Sequence, residues 1–244
     1  MNVKRLAVAV AGLALLANSA PAVVVGYVNM TLQAGANWIG NPLLNNDDSL
    51  NSLMPTAPDG TTVSLWNPTA DQFTTTSTFN SGAWSLNLIL DPGTGALVNT
   101  PTQFVNTFVG TVENFDGSIA SGAPTFAQPP PFSGPNGIYF FSSKAPLALS
   151  GDSFGSPSGD SVFLSILGRA PQNGEQVTTL NALTQTYTTT TFMNGIWDNG
   201  SPTLAVGQAA MFNLGPVPEP SSLVLLSAGI AGVIALRRRQ TCKA

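Results

Sequence analysis

Two apolar runs, Leu6 to Ala17 and Leu223 to Leu236, bracket an interior of different texture. Inside them the apolar residues come in short stretches rich in β-branched and aromatic side chains: Val63 to Trp66, Phe73 to Phe79, Ala96 to Val98 and Phe104 to Val112. Such stretches predict strands, because these side chains pack well on a pleated surface. Pro58-Asp59-Gly60, Asn67-Pro68 and the sequence DPGTG from Asp91 to Gly95 separate them and predict turns. No part of the interior sustains a helical period between capping residues. The pattern predicts an all-β, sandwich-like body.

The interior also matches itself. Ala57 to Trp84 (APDGTTVSLWNPTADQFTTTSTFNSGAW) aligns with Ala170 to Trp197 (APQNGEQVTTLNALTQTYTTTTFMNGIW). Val63 meets Val177, Phe79 meets Phe192, and Trp84 meets Trp197. Further on, Leu90 to Asn99 aligns with Leu204 to Asn213, and upstream Gly35 to Gly40 pairs more weakly with Gly137 to Ser142. The smaller upstream offset implies extra residues in the second copy, at SGDSFGSPSGDS. Self-similarity of this kind predicts two homologous β-rich halves, 23–112 and 113–216. Trp84 and Trp197 then read as equivalent core anchors.

The two apolar runs have their own logic. Lys4 and Arg5 precede the first, and Ala20-Pro21-Ala22 follows it. A basic start, an apolar stretch and an A-x-A exit make residues 1–22 a secretory signal peptide, with Ala20 and Ala22 as the small residues of the cleavage site. Pro21 and the small-residue exit count against a packed N-terminal helix. The second run is 14 residues long. As a helix it reaches about 21 Å, short of a bilayer core of about 30 Å. Serines ahead of it and snorkelling arginines behind it close part of that gap. Arg237, Arg238 and Arg239 should stay cytoplasmic, which places the body outside, in agreement with the signal peptide.

Pro218-Glu219-Pro220, then a short apolar helix at 223–236, then the arginine cluster at 237–239, resembles the PEP-CTERM sorting signal, here spanning 217–240. The resemblance implies a partner: exosortase, a membrane transpeptidase that cuts near the Pro-Glu-Pro and passes its substrate to the cell surface or matrix. It implies export through the inner membrane, transient membrane anchoring, and then a cell-surface or extracellular location. An ordinary C-terminal anchor is the other reading of the same run. The body itself is similar to secreted, duplicated β-rich proteins of uncharacterised role, a likeness that implies fold and no chemistry.

Charge sharpens the picture of the body. The chain carries a formal −4, but six of its eight cations lie in the two terminal segments. From 23 to 216 only Lys144 and Arg169 face eleven carboxylates, a formal −9. No basic footprint remains for nucleic acid or anionic lipid. The single cysteine, Cys242, lies behind the arginines, so the body has neither disulfide nor thiolate. Histidine is absent throughout, which excludes Ser-His-Asp and Cys-His catalysis and imidazole metal ligands.

The remaining candidates for chemistry are few. GDSFG at 151–155 matches the G-x-S-x-G elbow but lacks both a histidine base and a strand-to-helix setting. Asp59, Asp71, Asp91 and Asp198 sit beside turn residues, where Asp caps backbone N–H groups, rather than in a recognisable catalytic pair. The one cofactor the loops could hold is Ca²⁺, at Asn45 to Asp48 or around Asp152 and Asp160, although the metal ligands are not identifiable from sequence. The threonine-rich runs at 74–78 and 188–191 predict exposed strand positions open to O-glycosylation, to carbohydrate contact or to a matrix. No catalytic residue is assigned. The sequence therefore predicts a non-enzymatic, exosortase-sorted surface or matrix protein with a structural or adhesive role, associated through the resemblance with exopolysaccharide. The alternatives are a secreted hydrolase working through carboxylates and a membrane-anchored carbohydrate-binding module.

Overall fold

A computed structural model describes residues 23–122, 128–150 and 162–215. The expected signal peptide with Ala20 and Ala22, the GDSFG sequence with Asp152, Asp160, and the tail from 216 onward lie outside the described residues. Among those described, no helix is long and apolar enough to cross a membrane.

Among the described residues, fourteen strands and two short helices build the body, and the strands pair antiparallel. In the first half these are β1 (Val25–Leu32), β2 (Gly35–Gly40), α1 (Leu50–Leu53), β3 (Thr62–Asn67), β4 (Gln72–Asn80), β5 (Ala83–Trp84), β6 (Gly95–Thr100) and β7 (Phe104–Thr111). In the second they are β8 (Gly137–Ser142), β9 (Leu149–Ser150), α2 (Val162–Leu167), β10 (Gln176–Asn181), β11 (Thr186–Met193), β12 (Ile196–Trp197), β13 (Thr203–Leu204) and β14 (Ala209–Leu214). The helices are a departure from the expected all-strand interior. With four and six residues, neither is long enough to display a helical period in sequence.

Two five-stranded sheets dominate. Sheet I has the order β2-β6-β3-β4-β5, and sheet II has the order β8-β14-β10-β11-β12. Read in sequence order, the two are laid out identically. Phe79 pairs with Trp84 across β4 and β5, and Phe192 pairs with Trp197 across β11 and β12. Both ring pairs are T-shaped at 5.2 Å. Both tryptophans are buried.

Strands with both faces covered carry apolar residues on both, and the alternation divides them between cores. In β6, Ala96 and Val98 enter one core while Leu97 turns to another. In β14, Ala210 and Phe212 face one way, Ala209 and Met211 the other. Three cores result. The first lies between sheet I and a cover made of the β1–β7 ribbon and α1, with Leu32, Phe108, Leu50 and Leu53 packed on Val63 and Val98. The second lies between sheet II and a cover that includes α2 and β9, with Phe163, Leu167 and Leu149 on Val177 and Phe212.

The third core joins the two sheets. Trp38 of β2 meets Phe140 of β8 edge-on at 5.1 Å. Trp38 also touches Tyr187 of β11 at 5.2 Å, and Phe140 touches Phe73 of β4 at 5.7 Å. Trp38 and Phe140 hold the same place in their sheets, as do Phe73 and Tyr187, so each contact has its reciprocal. Backbone bonds repeat the symmetry: Gly40 N–H donates to Gly207 O at 2.8 Å, and Ser142 N–H donates to Gly93 O at 3.0 Å. This is the self-complementary logic of a two-fold dimer interface, realised within one chain. Glycine at 40 is required by the approach, since a Cβ there would stand 1.9 Å from Ser142 Oγ.

The match between the sheets is broken at one buried atom. Trp84 Nε1–H donates to Met54 O at 3.1 Å, whereas buried Trp197 Nε1 has no acceptor. An unmet buried donor costs free energy that a made hydrogen bond does not. Trp84→Phe is therefore expected to destabilise the fold by about 1 kcal/mol more than Trp197→Phe, as read from urea denaturation midpoints. Equal losses would contradict this assignment.

Candidate functional site

Most of the described carboxylates serve the backbone. Asp59 Oδ1 accepts from Ser81 N–H at 2.8 Å, and Asp198 Oδ1 accepts from Thr191 N–H at 2.8 Å. Asp116 Oδ1 takes both the N–H and the Oγ–H of Ser118. Asp47 accepts from Ser49 through both oxygens, at 3.2 and 3.0 Å. Hydrogen bonds to the ionised form stabilise it, and they hold Asp47, Asp116 and Asp198 below the ordinary carboxylate range. Asp71 takes a positive φ of 47° in the β3–β4 turn. These are structural roles, as expected of Asp beside turns.

The Asn45-to-Asp48 loop is built in the same way. Asp48 is buried, and its Oδ1 accepts from Asn45 N–H at 2.7 Å and from Asn41 Nδ2 at 2.9 Å. Among the described residues, no three acidic side chains converge as a metal-binding group. Asp152 and Asp160 lie outside those residues.

The two cations of the body are also placed. Arg169 forms a two-pronged bond with buried Glu175, at 2.9 Å to Oε2 and 2.5 Å to Oε1, and lies 5.8 Å from the centre of the Phe163 ring. Gln172 N–H adds a third donor to Glu175, at 2.7 Å. Lys144 borders a small cavity of about 250 Å³ that also meets Phe115, Phe132 and Phe141.

Near Lys144 the acids are crowded. Burial raises the Glu113 carboxyl above its ordinary value; the Lys144 charge opposes the rise, and Asp48, Asp116 and Asp91 add to it. Burial likewise raises Asp48, against the hydrogen bonds from Asn45 and Asn41.

A larger cleft opens on the other side of the sheet contact, with a volume of about 570 Å³. Met30 to Leu32 of β1 and Asn37 to Ile39 of β2 form one wall. Thr179, Thr188 and Thr190 of sheet II and the loop from Asn199 to Thr203 form the other. Thr179 and Thr188 are direct cross-strand partners, so they share a face. Among the described residues, no Asp, Glu, Lys or Arg lines this cleft. A carboxylate pair of the kind a glycoside hydrolase needs is therefore not assembled there.

The threonine runs are mostly exposed. Thr74, Thr75 and Thr76 face solvent, as do Thr188 and Thr189, while Thr190 is buried and donates to Gly200 O at 3.0 Å. The cleft had escaped the sequence reading, yet a signal was present. Where the two aligned segments differ, Leu65 is matched by Thr179.

A family profile for the PEP-CTERM protein-sorting motif matches residues 216–239. The motif indicates an exported protein that is processed by exosortase, with transient membrane anchoring before display at the cell surface. Neither a curated protein nor a solved structure matches the chain.

The raised carboxyls give a pH dependence of definite sign. Over the interval between its unfolded value, near 4.5, and its raised folded value, Glu113 binds more protons folded than unfolded. Its contribution to stability is full below that interval and is lost as pH rises through the folded value. Glu113→Gln should therefore gain stability relative to the unsubstituted protein as pH is raised from about 4 to about 7, measured by urea midpoints at each pH. A difference that stays constant over this range would contradict the assignment.

Proposed function

We propose that this protein is a non-enzymatic structural or adhesive module, displayed outside the cell and associated there with exopolysaccharide or matrix. The observation that carries the reading is the match to the sorting motif at 216–239, with Pro218-Glu219-Pro220 and Arg237 to Arg239 as the residues read by the exosortase-type transpeptidase. On this reading the signal peptide ends at Ala22, the tail is inserted once, and the arginines are left behind on the cytoplasmic side.

Two features of the body support a non-catalytic role. Its described carboxylates largely cap backbone groups or pair with Arg169, and the 570 Å³ cleft has no charged side chain among its described lining residues. A carboxylate-dependent hydrolase would need two acids facing across such a cleft. The matched layout of sheets I and II further supports descent of the body from a duplicated β unit. Self-complementary packing lets a duplicated unit bury a face on its own copy, without any other partner.

The body joins the motif with almost no spacer. β14 ends at Leu214 in the middle of sheet II, and the matched motif begins at 216. Processing near Pro218 would therefore leave the folded body held close to whatever it is joined to.

Intact-mass measurement on the protein from its native host tests the route. The expected mature species begins at Val23 and has lost Arg237 to Arg239. Retention of those arginines in the surface form would overturn the sorting reading. Release of reducing ends from host polysaccharide by the purified protein would overturn the non-enzymatic one.

A further inference from the structure

We propose that the 570 Å³ cleft on sheet II is a binding site for a neutral oligosaccharide. The inference deepens the exopolysaccharide association proposed above by giving it a location and a ligand class.

The comparison of the two sheets carries the argument. On sheet I, Leu65 of β3 stands opposite Thr75 and packs against the first core. On sheet II the matching residue is Thr179, opposite Thr188, and both line the cleft. The loop across each sheet differs in the same direction. Ser77 Oγ donates to Leu86 O at 2.6 Å, and its counterpart Thr190 Oγ1 donates to Gly200 O at 3.0 Å. Gly200 thus replaces a leucine at an equivalent backbone position, and Asn199 is an extra residue beside it. Sheet I fills the place of Thr179 with the half-buried Leu65, and sheet II leaves it polar.

The open side also offers solvent-accessible hydroxyls. Asn37 and Gln208 spend their amides on the backbone of Gln33, Gly35, Leu180 and Ala205. By contrast, the hydroxyls of Thr31, Thr179, Thr188 and Ser201 make no side-chain hydrogen bond among the described residues. Met30 and Val206 supply apolar surface between them. The volume lies within the usual range of small-ligand sites, roughly 300–1,000 Å³.

Ligand class follows from what the lining can repay. A charged ligand would enter a cleft with no countercharge and lose its hydration uncompensated. A wholly apolar ligand would cover free hydroxyls and leave them unpaired. A molecule with many hydroxyls, no net charge and apolar C–H faces satisfies both kinds of lining. A neutral saccharide is such a molecule. Binding by hydrogen bonds and apolar contact, without ion pairs, should be insensitive to salt.

The test is calorimetric titration of the full chain, kept in a sugar-free zwitterionic detergent, with neutral hexose oligosaccharides of three to five residues. Charged oligosaccharides and a neutral Ser/Gly peptide are the comparison ligands. Saturable binding of a neutral sugar, unchanged between low and high salt, is the expected result. Thr179→Leu, which installs the sheet I residue, should weaken it by about tenfold or more, and Thr188→Arg should do the same. Thr189→Val, on the opposite face of β11, should leave it intact. Melting curves of each variant identify any that fails to fold, and Thr179→Leu and Thr188→Arg report independently. Absence of binding across the neutral panel, binding untouched by both cleft variants, or preference for the charged sugar or the peptide would overturn the proposal. None of these outcomes bears on the mass of the mature protein, so the sorting reading stands or falls separately.

Discussion

The contact between Trp38 and Phe140 is the constraint on which the rest of the body depends. Neither sheet could leave its inner face in water, because each carries aromatic and aliphatic side chains on both sides. The covers over the first and second cores bury only the outer faces. The inner faces have each other. Reciprocal ring contacts, each worth about 0.5–1.5 kcal/mol beyond area burial, fix how the sheets meet. Gly40 then lets the backbones close to hydrogen-bonding distance of the facing loop.

That contact also decides where a ligand could sit. It draws β2 of sheet I against the β10–β11 side of sheet II and so creates a cleft with one wall from each. On the opposite side, Phe115, Phe132, Phe141 and Lys144 crowd the smaller cavity to about 250 Å³. Two near-equivalent sheets thus present unlike surroundings, and the unlikeness arises from a handful of side chains. The acidic, nearly cation-free surface is a separate matter. Its carboxylates mainly hold turns and loops in place, and the two cations present are drawn to Glu175 and to the neighbourhood of Glu113.

Much of the fold was legible in the sequence because period-two patterning and turn residues act locally. The stretches around Val63, Phe73, Ala96 and Phe104 are strands within a residue or two of the expected bounds. Trp84 and Trp197 are buried anchors. The two helices were not legible, since six residues or fewer carry no period. Nor was the central aromatic cluster. Trp38, Phe73, Phe140 and Tyr187 are distant in sequence and are assembled only when two whole sheets meet. The cleft was hidden for a related reason. Thr179 and Gly200 look like ordinary strand and turn residues until they are set against Leu65 and Leu86.

The central claim is that this inner contact makes two sheets into one cooperative body. Native-state hydrogen exchange in rising urea tests it most directly, by comparing amides of β3 and β6 with those of β10 and β14. The account predicts that the slowest amides of both sheets converge on one opening free energy and one denaturant slope. Two separate isotherms, with one sheet opening while the other stays protected, would contradict it.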